Sequence, residues 1–260
     1  MSKPFISIIT PTHNRPDLLR RAVQSIISQT FTDWEMLIID DSTNSETKLI
    51  SSELTKDPRV KYIKNQKNEG LPFSRNRGLE KASGKWITFL DDDDKYITNS
   101  TLEKIVDILK SNTYTWHTFD RVAPNGEKFT KIYKSTKDHK YNWTEDFLYG
   151  KKIRGDLVHF MRKSLIAGTH FYGSHRSQWQ FWYELAQKGD FIYSPLKTVE
   201  AEYLPEGLSS SRNIVQDRMY LRQQFFYMMR SFSTMKYMPL IATRYILSFP
   251  LVEKMYRKFK

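Results

Sequence analysis

Short apolar runs alternate with amphipathic segments over residues 1–100. The apolar runs are rich in β-branched and aromatic side chains, as buried strands are, and they cover Phe5–Thr10, Glu35–Ile39, Val60–Ile63 and Lys85–Leu90. The segments between them place apolar residues at helical spacing, as in "PDLLRRAVQSII". This alternation predicts βαβ units, and therefore an α/β fold with a mostly parallel sheet flanked by helices.

The pattern weakens after residue 100. It still predicts a helix near Thr101–Leu109, a strand near Thr115–Asp120 and a helix over Gln178–Gln187. From Ile214 onward, large apolar residues fall on one helical stripe, and arginines lie elsewhere on the same segment. We therefore expect a domain of residues 1–211, followed by a helical C-terminal extension over residues 212–260.

The net charge of +12 is concentrated in this extension. Residues 212–260 hold ten Lys/Arg and two acids, a net +8, which leaves +4 for the rest of the chain. A basic amphipathic helix with aromatic residues is typical of a membrane interface, and its apolar stretches are too short to span a bilayer. The alternatives are packing on the preceding domain, a dimer interface, or binding to nucleic acid.

Three polar clusters follow predicted strands directly. They are Thr12-His13-Asn14, Asp40-Asp41 and Asp91–Asp94. Ligands of parallel α/β sheets bind beyond the carboxyl ends of the strands, so these clusters predict a common site. Helix capping is the alternative for the first two clusters, since Thr, Asn and Asp often precede helices.

Four consecutive aspartates follow the apolar run "WITFL". Carboxylates two residues apart on a turn can face one hard cation such as Mg²⁺ or Mn²⁺, which fills its remaining positions with water and substrate phosphates. The alternative is a solvated acidic turn or a charge cluster before a helix. The run of four favours a metal–diphosphate site.

The segments "ISIITPTHNRPDLLRRAVQSIISQTFTDWEMLIIDDST" and "NEGLPFSRNRGLEKASGKWITFLDDDD" carry a specific resemblance. In order and spacing, residues 5–97 closely resemble the N-terminal half of family 2 glycosyltransferases. The resemblance implies a GT-A fold, in which residues 1–97 bind a nucleotide-sugar and residues 98–211 bind the acceptor. It also implies transfer of a sugar from a nucleotide diphosphate, usually a uridine one, with inversion at the anomeric carbon.

The resemblance further implies a donor-binding set and a metal pair. The metal pair is Asp91 and Asp93, with Asp93 as the direct ligand of Mn²⁺ or Mg²⁺. Asp41 would contact the pyrimidine edge, Arg75 would lie by the base or phosphates, and Asp94 would cap a helix. The donor-binding set is Pro11, Thr12, His13, Asn14, Asp41, Arg75, Asp91 and Asp92.

The acceptor side departs from the family pattern at one position. In "SHRSQWQFWYELAQ", Gln178 stands where the family has its general base, an aspartate. An amide has no useful basicity near neutral pH. The chain is then an inactivated variant, or His175, Asp156 or Glu184 serves as the base, or the protein binds the donor without efficient transfer. Gln178 is otherwise a plain residue at a helix N-terminus.

A second departure concerns the metal. Relatives carry a histidine ligand where this chain has Pro205 or Glu206, so Glu206 or Glu202 is expected to contribute a contact. A further set is expected to face the acceptor, with surface or buried hydrogen-bonding roles as the alternative. That set is Asp120, Asp156, His159 and Trp179.

Taken with the resemblance, these features imply a UDP-sugar donor and a glycan or lipid-linked glycan acceptor. The chain has no cysteine, and its first residues lack the pattern of a secretory signal. We therefore expect a cytoplasmic protein, peripheral on the inner face of the membrane through residues 212–260, that does not bind nucleic acid. A nucleotidyltransferase and a nucleic-acid-binding protein are the alternatives.

Overall fold

A computed structural model describes residues 3–149, 152–173 and 178–202. The helices and strands, in chain order, are β1 (Ile6–Thr12), α1 (Pro16–Ile27), β2 (Trp34–Asp40), α2 (Glu46–Leu54), β3 (Val60–Lys64), α3 (Leu71–Lys81), β4 (Trp86–Phe89), β5 (Asp94–Tyr96), α4 (Thr101–Lys110), β6 (Trp116–Val122), β7 (Lys131–Ile132), β8 (Lys140–Tyr141), β9 (Ile153–Arg154), β10 (Leu157–Arg162), α5 (Lys163–Ile166), α6 (Trp179–Lys188) and β11 (Phe191–Ala201). A 3₁₀ turn covers Lys137–His139, and a π-helical segment covers Trp143–Tyr149.

The first half of the sheet is parallel, as predicted. Strands β3, β2, β1 and β4 lie side by side in this order, and each pairing between neighbours is parallel. Every residue of β1 and β2 is buried because helices cover both faces of a sheet built from βαβ units. The carboxyl ends of β1, β2 and β4 therefore meet at one edge, which we call the carboxyl edge.

The second half of the sheet is mixed. Beyond β4 the order continues β10, β6, β11 and β5, with β8 also beside β11. Of the eight strand pairings within this sheet of described residues, four are parallel and four antiparallel. The predicted α/β fold is confirmed, and the expectation of a mostly parallel sheet holds for the first half only.

Helix α3 lies unusually close to the sheet. A Cβ atom at Gly78 would come within 2.3 Å of Ile9 Cγ2 on β1, a distance that real side chains do not tolerate. Glycine at this position lets the helix backbone rest on the strand. Arg75 is buried on the same helix one turn earlier, so this contact sets its height above the carboxyl edge.

The predicted helices near residues 101–109 and 178–187 correspond to α4 and α6. The predicted extension over residues 212–260, its boundary at residue 211, and Glu206 lie outside the described residues. Across the part of the chain that the structure describes, no helix combines the length and apolar character needed to cross a membrane.

Glu35 on β2 is a buried carboxylate near the opposite edge of the sheet. Its Oε1 accepts hydrogen bonds from Ser7 Oγ at 2.6 Å and from Ser83 N at 2.6 Å, and Lys61 Nζ lies 2.7 Å from its Oε2. Burial alone would raise the pKa of Glu35, but the hydrogen bonds from Lys61, Ser7 and Ser83 lower it to about 2. The ionised form is therefore a stabilising feature of the native state.

Replacing Glu35 with glutamine is expected to lower the free energy of unfolding by about 2 kcal/mol near neutral pH. Because the folded pKa of Glu35 lies below its ordinary value of 4.5, its contribution is complete above that value. It is lost as the pH falls toward 2. Urea unfolding near pH 7 and near pH 3 measures the effect, with Glu53→Gln, a half-exposed carboxylate, as control. An equal difference from the native chain at both pH values would contradict this account.

Candidate active site at the carboxyl edge

The acidic turn Asp91–Asp94 follows β4 at the carboxyl edge. The side chains of Asp91 and Asp93 are 33% and 22% exposed, whereas those of Asp92 and Asp94 are buried. Asp91, Asp93 and Asp94 each offer a carboxylate oxygen, and these atoms lie within 4.8 Å of one another. This all-oxygen set fits a hard divalent cation, with room on the exposed side for water or phosphate oxygens.

Arginines from distant segments surround the acidic turn. Arg15 Nη1 lies 3.3 Å from Asp92 Oδ1 and 3.1 Å from Asp93 Oδ2. Arg21 Nη2 donates to the main-chain oxygen of Asp93 at 2.5 Å. These contacts offset the repulsion among adjacent carboxylates, which would otherwise oppose this turn.

Arg121 on β6 joins the acidic turn to Asp156, the residue before β10. Its Nη2 lies 2.8 Å from Asp94 Oδ2, and its Nη1 lies 2.9 Å from Asp156 Oδ2 and 3.9 Å from Asp91 Oδ2. Burial alone would lower the pKa of Arg121, but Asp156, Asp94 and Asp91 raise it, so the guanidinium stays charged. Sequence analysis missed Arg15 and Arg121 because neither belongs to a local motif.

The expectation that Asp94 caps a helix is wrong. Asp94 begins β5, which pairs with β11 in an antiparallel arrangement, and α4 starts only at Thr101. The side chain is 3% exposed and forms the ion pair with Arg121. The chain forms an edge strand here because the ion pair with Arg121 compensates the buried charge of Asp94, and because Tyr96, two residues later, is buried as well.

Burial raises the pKa of three of these carboxyl groups. The pKa of Asp92 rises to about 6, although Thr12 Oγ1 donates a hydrogen bond to its Oδ2 at 2.7 Å. Burial and the negative charge of Asp91 raise the pKa of Asp93. Burial raises the pKa of Asp94 despite its pairing with Arg121. Concentrated negative charge of this kind is what a divalent cation would neutralise.

Asp91 differs from its three neighbours. Burial alone would raise its pKa, but the positive charges of Arg75, Arg121 and Arg15 hold it below its usual value. Arg75 Nη2 lies 2.8 Å from Asp91 Oδ1. Asp91 is therefore the carboxylate most firmly ionised at neutral pH.

The loops after β1 and β2 are joined by hydrogen bonds. His13 Nδ1 donates to the main-chain oxygen of Asp41 at 2.8 Å, and Asn14 Oδ1 accepts from Thr43 N at 3.0 Å. His13 and Asn14 are exposed, while Pro11 is buried at the end of β1. These residues of the predicted donor-binding set thus lie together at the carboxyl edge.

Asp41 holds the loop that leads into α3. Its Oδ1 accepts from Asn65 Nδ2 and Glu69 N, both at 2.8 Å, and its Oδ2 accepts from Gly70 N at 2.7 Å. Gly70 has a φ of 87°, a conformation that favours glycine. Asp41 is buried in this arrangement, and its contact with a pyrimidine edge stays a prediction.

Arg75 connects the acidic turn to Gln178, the residue at the predicted position of the base. One of its terminal nitrogens lies against Asp91, and the other donates a hydrogen bond to Gln178 Oε1. Its guanidinium also lies 5.2 Å from the ring centroid of Phe89. The start of α6 is therefore next to the acidic turn, although 103 residues separate Arg75 from Gln178.

The four residues expected to face the acceptor differ in burial and in their contacts. Asp156 has a 38% exposed side chain beside Arg121, and Trp179 is buried at the start of α6. His159 accepts from Trp116 Nε1 at 3.1 Å, and burial, with the charges of Arg121 and Arg75, lowers its pKa to about 3, so the ring is neutral. Asp120 is fully buried and bonded to Tyr193 Oη at 2.9 Å, which fits the alternative of a structural hydrogen-bonding group.

Two further candidates lie near or beyond the described site. Glu202 has a 51% exposed side chain, and its Oε2 lies 3.3 Å from Arg21, the residue that also contacts the acidic turn. Its contribution to a metal site stays a prediction. His175, one of the alternative bases, lies outside the described residues.

Residues 7–167 match the model of a protein family described as glycosyl transferase family 2. A Campylobacter jejuni GalNAc(5)-diNAcBac-PP-undecaprenol beta-1,3-glucosyltransferase is 33% identical over 206 residues, which cover 75% of this chain and 64% of the relative. An Escherichia coli UDP-Glc:alpha-D-GlcNAc-diphosphoundecaprenol beta-1,3-glucosyltransferase is 35% identical over 112 residues, or 43% of this chain and 44% of that protein. The chain thus spans less than two thirds of either relative.

Solved structures share the fold. S. aureus TarS 1-349 in complex with UDP-GlcNAc has a TM-score of 0.69 at 18% identity, over 95% of this chain and 72% of that chain. A Pyrobaculum calidifontis mannosyltransferase in complex with GDP-Man and Mn²⁺ has a TM-score of 0.62 at 17% identity, over 98% of this chain and 74% of that chain. These similarities confirm the expected GT-A fold. Since the family model covers more than half of its length, the chain belongs to glycosyl transferase family 2.

Proposed function

We propose that this chain transfers a sugar from a nucleotide diphosphate donor, a UDP-sugar, to a hydroxyl group of a glycan or lipid-linked glycan. The observation that carries the proposal is the acidic turn at the carboxyl edge, where Asp91, Asp93 and Asp94 converge between arginines. Membership of the family supports glycosyl transfer. The names of two relatives support a lipid-linked acceptor, and the UDP-GlcNAc complex of TarS supports a uridine donor.

Asp93 and Asp91 are the residues that would hold Mn²⁺ or Mg²⁺, with Asp94 within reach of the same cation. When bound, the ion neutralises negative charge on the departing diphosphate. Arg15 and Arg75 lie where they can bind phosphate oxygens once a cation takes over part of their present pairing with the aspartates. The exposed side chains of His13 and Asn14 would line the nucleotide pocket.

The acceptor hydroxyl must lose a proton as it attacks the anomeric carbon. Gln178 lies at the expected place but its amide cannot take that proton. Asp156 is the alternative base that we favour, because its side chain is 38% exposed and it pairs with Arg121, which also contacts the acidic turn. We therefore propose a complete donor site combined with slow transfer in the chain as it stands.

UDP is expected to stabilise the protein in a metal-dependent manner. With excess UDP and Mn²⁺ the melting temperature should rise by roughly 5 °C, because ligand binding to the native state adds its binding free energy to stability. The Asp93→Asn variant should lose most of this rise, whereas Asp107→Asn, an exposed acid on α4, should keep it. Thermal-shift measurements with Mn²⁺ and with EDTA provide the test. Equal protection by UDP under both conditions would contradict the metal site.

The reaction class is tested by its product. Glycosyl transfer releases the nucleoside diphosphate, whereas nucleotidyl transfer releases pyrophosphate. Incubation with nucleotide-sugars, and separately with nucleoside triphosphates and sugar phosphates, followed by assays for the nucleoside diphosphate and for pyrophosphate, separates these outcomes.

We also propose that residues 212–260 bring the protein to the inner face of the cytoplasmic membrane or into a homodimer. The support is the net charge of +8 in that segment together with its apolar stripe. A peripheral position would give access to a lipid-linked acceptor.

A further inference from the structure

An open cleft of about 450 Å³ lies at the opposite edge of the sheet, which we call the amino edge. Four segments meet there: the residues before β1, the residue before β2, the loop between α3 and β4, and the residues around the start of α5. The lining residues are Lys3, Pro4, Phe5, Asp33, Ser83, Gly84, Lys85, Arg162, Lys163 and Ser164. Strand β1 alone spans six residue steps between the two edges, so roughly 20 Å separate this cleft from the acidic turn.

The main chain gives the cleft a firm base. Lys85 N donates to Pro4 O at 3.1 Å, and Lys163 N donates to Lys85 O at 3.0 Å, which ties three of the four segments together. A Cβ atom at Gly84 would approach Ser7 N to 2.6 Å, so the loop before β4 rests directly on β1. The cleft is therefore preformed.

The cleft is strongly cationic. Lys3, Lys85, Arg162 and Lys163 line it, and Asp33 is its one acid. Within the residues that the structure describes, none of these four cations has a carboxylate at ion-pair distance, in contrast to the arginines around the acidic turn. Lys163 Nζ donates to Ala82 O at 2.5 Å, and Lys3, Lys85 and Arg162 against the single Asp33 leave a net positive charge at this edge that can attract an external anion.

Individual contacts support an anion site with an apolar floor. Arg162 Nε is buried and has no hydrogen-bond partner, while its guanidinium lies 5.0 Å from the ring centroid of Trp86. Two ammonium groups lie near the ring of Phe5, with Lys85 Nζ 5.7 Å and Lys110 Nζ 5.4 Å from its centroid. Clusters of basic groups of this kind are typical of protein surfaces that bind anionic lipids.

We propose that the amino-edge cleft binds the phosphate of anionic phospholipid headgroups and holds this edge of the described unit against the membrane. A cleft of this size admits single headgroups. A nucleic-acid strand would need a longer groove with exposed rings on which bases stack, whereas Phe5 is partly buried against the core. With the amino edge on the membrane, the acidic turn would lie roughly 20 Å from the lipid headgroups and open to a nucleotide-sugar, so a lipid-linked acceptor would reach it through its glycan chain.

The choice of lipid rests on the proposed lipid-linked acceptor. Vesicle binding needs no transfer activity, so the contact and the proposed function can fail separately. The test uses the full chain, including residues 212–260, and compares sedimentation with vesicles of phosphatidylcholine and with vesicles that also contain phosphatidylglycerol.

The Lys3→Gln/Lys85→Gln variant removes two exposed charges from the cleft. Its partition onto phosphatidylglycerol vesicles should be about thirtyfold weaker than that of the native chain, because each lysine near an anionic surface contributes about fivefold. The control is Lys48→Gln/Lys56→Gln, which removes two exposed lysines near α2 and should change binding less than about twofold. An unchanged melting temperature verifies that both variants fold.

Equal binding of the cleft variant and the native chain to phosphatidylglycerol vesicles would overturn the proposal, because another part of the chain, such as residues 212–260, would then account for the binding to vesicles. Tighter binding to a single-stranded oligonucleotide than to these vesicles, lost in the cleft variant, would overturn the choice of lipid. A selective loss of phosphatidylglycerol binding in the cleft variant would support it.

Discussion

Replacing Gln178 with aspartate is expected to raise the rate of sugar transfer by at least about 10²-fold, the typical contribution of one general base. Gln178 accepts a hydrogen bond from Arg75, which also contacts Asp91 at 2.8 Å. A carboxylate at this position would therefore lie next to the donor site. The guanidinium beside it would keep the new carboxylate ionised at neutral pH, the form that accepts a proton.

The measurement is the initial rate of UDP release from UDP-sugars in the presence of lipid-linked glycans from bacterial membranes. Gln178→Asn is the matched control, because it has the size of aspartate and keeps the amide, and its rate should stay at the level of the native chain. If the aspartate variant binds UDP normally and gains no rate, position 178 is not the base. In that event an Asp156→Asn variant, expected to lose transfer, identifies the alternative.

Replacing Arg121 with glutamine is expected to lower the free energy of unfolding by about 3 kcal/mol, as the loss of one partner of a buried ion pair does. The side chains of Arg121 and Asp94 are 13% and 3% exposed, so the variant would leave Asp94 without its cation. Asp156 and Asp91 would lose the same partner. The carboxylates of the acidic turn would then repel one another, and the proposed binding of the donor should weaken together with the stability of the protein.

Urea unfolding at neutral pH measures this effect, and Arg20→Gln is the control. Arg20 forms ion pairs with the exposed carboxylates of Asp17 at 2.9 Å and Glu53 at 3.4 Å, and its loss should cost about 1 kcal/mol or less. Adding Asp94→Asn to the Arg121→Gln variant should restore about half of the lost stability, because it removes the uncompensated charge. An absence of rescue would show that the pair with Asp94 is not the source of the effect.

Sequence patterns predicted the strands whose signal is local. β1, β2, β3 and β4 are short apolar runs, and the polar clusters after β1, β2 and β4 predict the carboxyl edge from the sequence alone. Parallel pairing followed from the helices between these strands. This part of the fold depends on residues close together in the chain, and for that reason it could be predicted.

The rest depends on contacts between distant segments. β10 enters the sheet beside β4 from more than sixty residues away, and its antiparallel direction has no local sequence signal. The contact between Arg121 and Asp94 also has no local sequence signal. For that reason the sequence favoured a helix cap for Asp94. The assignment of Gln178 to the position of the base rests on the family resemblance and stays a prediction, whereas its contact with Arg75 had no sequence signal.

The close approach at Gly78 has a consequence for anyone who alters donor preference in this protein. Because Gly78 has no side chain, the backbone of α3 packs directly against the side chain of Ile9. This contact sets the height of α3 and thereby the position of Arg75. This contact belongs to the scaffold and touches no ligand. Substitutions in the loops after β1 and β2 would reshape the proposed nucleotide pocket, whereas substitutions in α3 would displace Arg75 before any new specificity could arise.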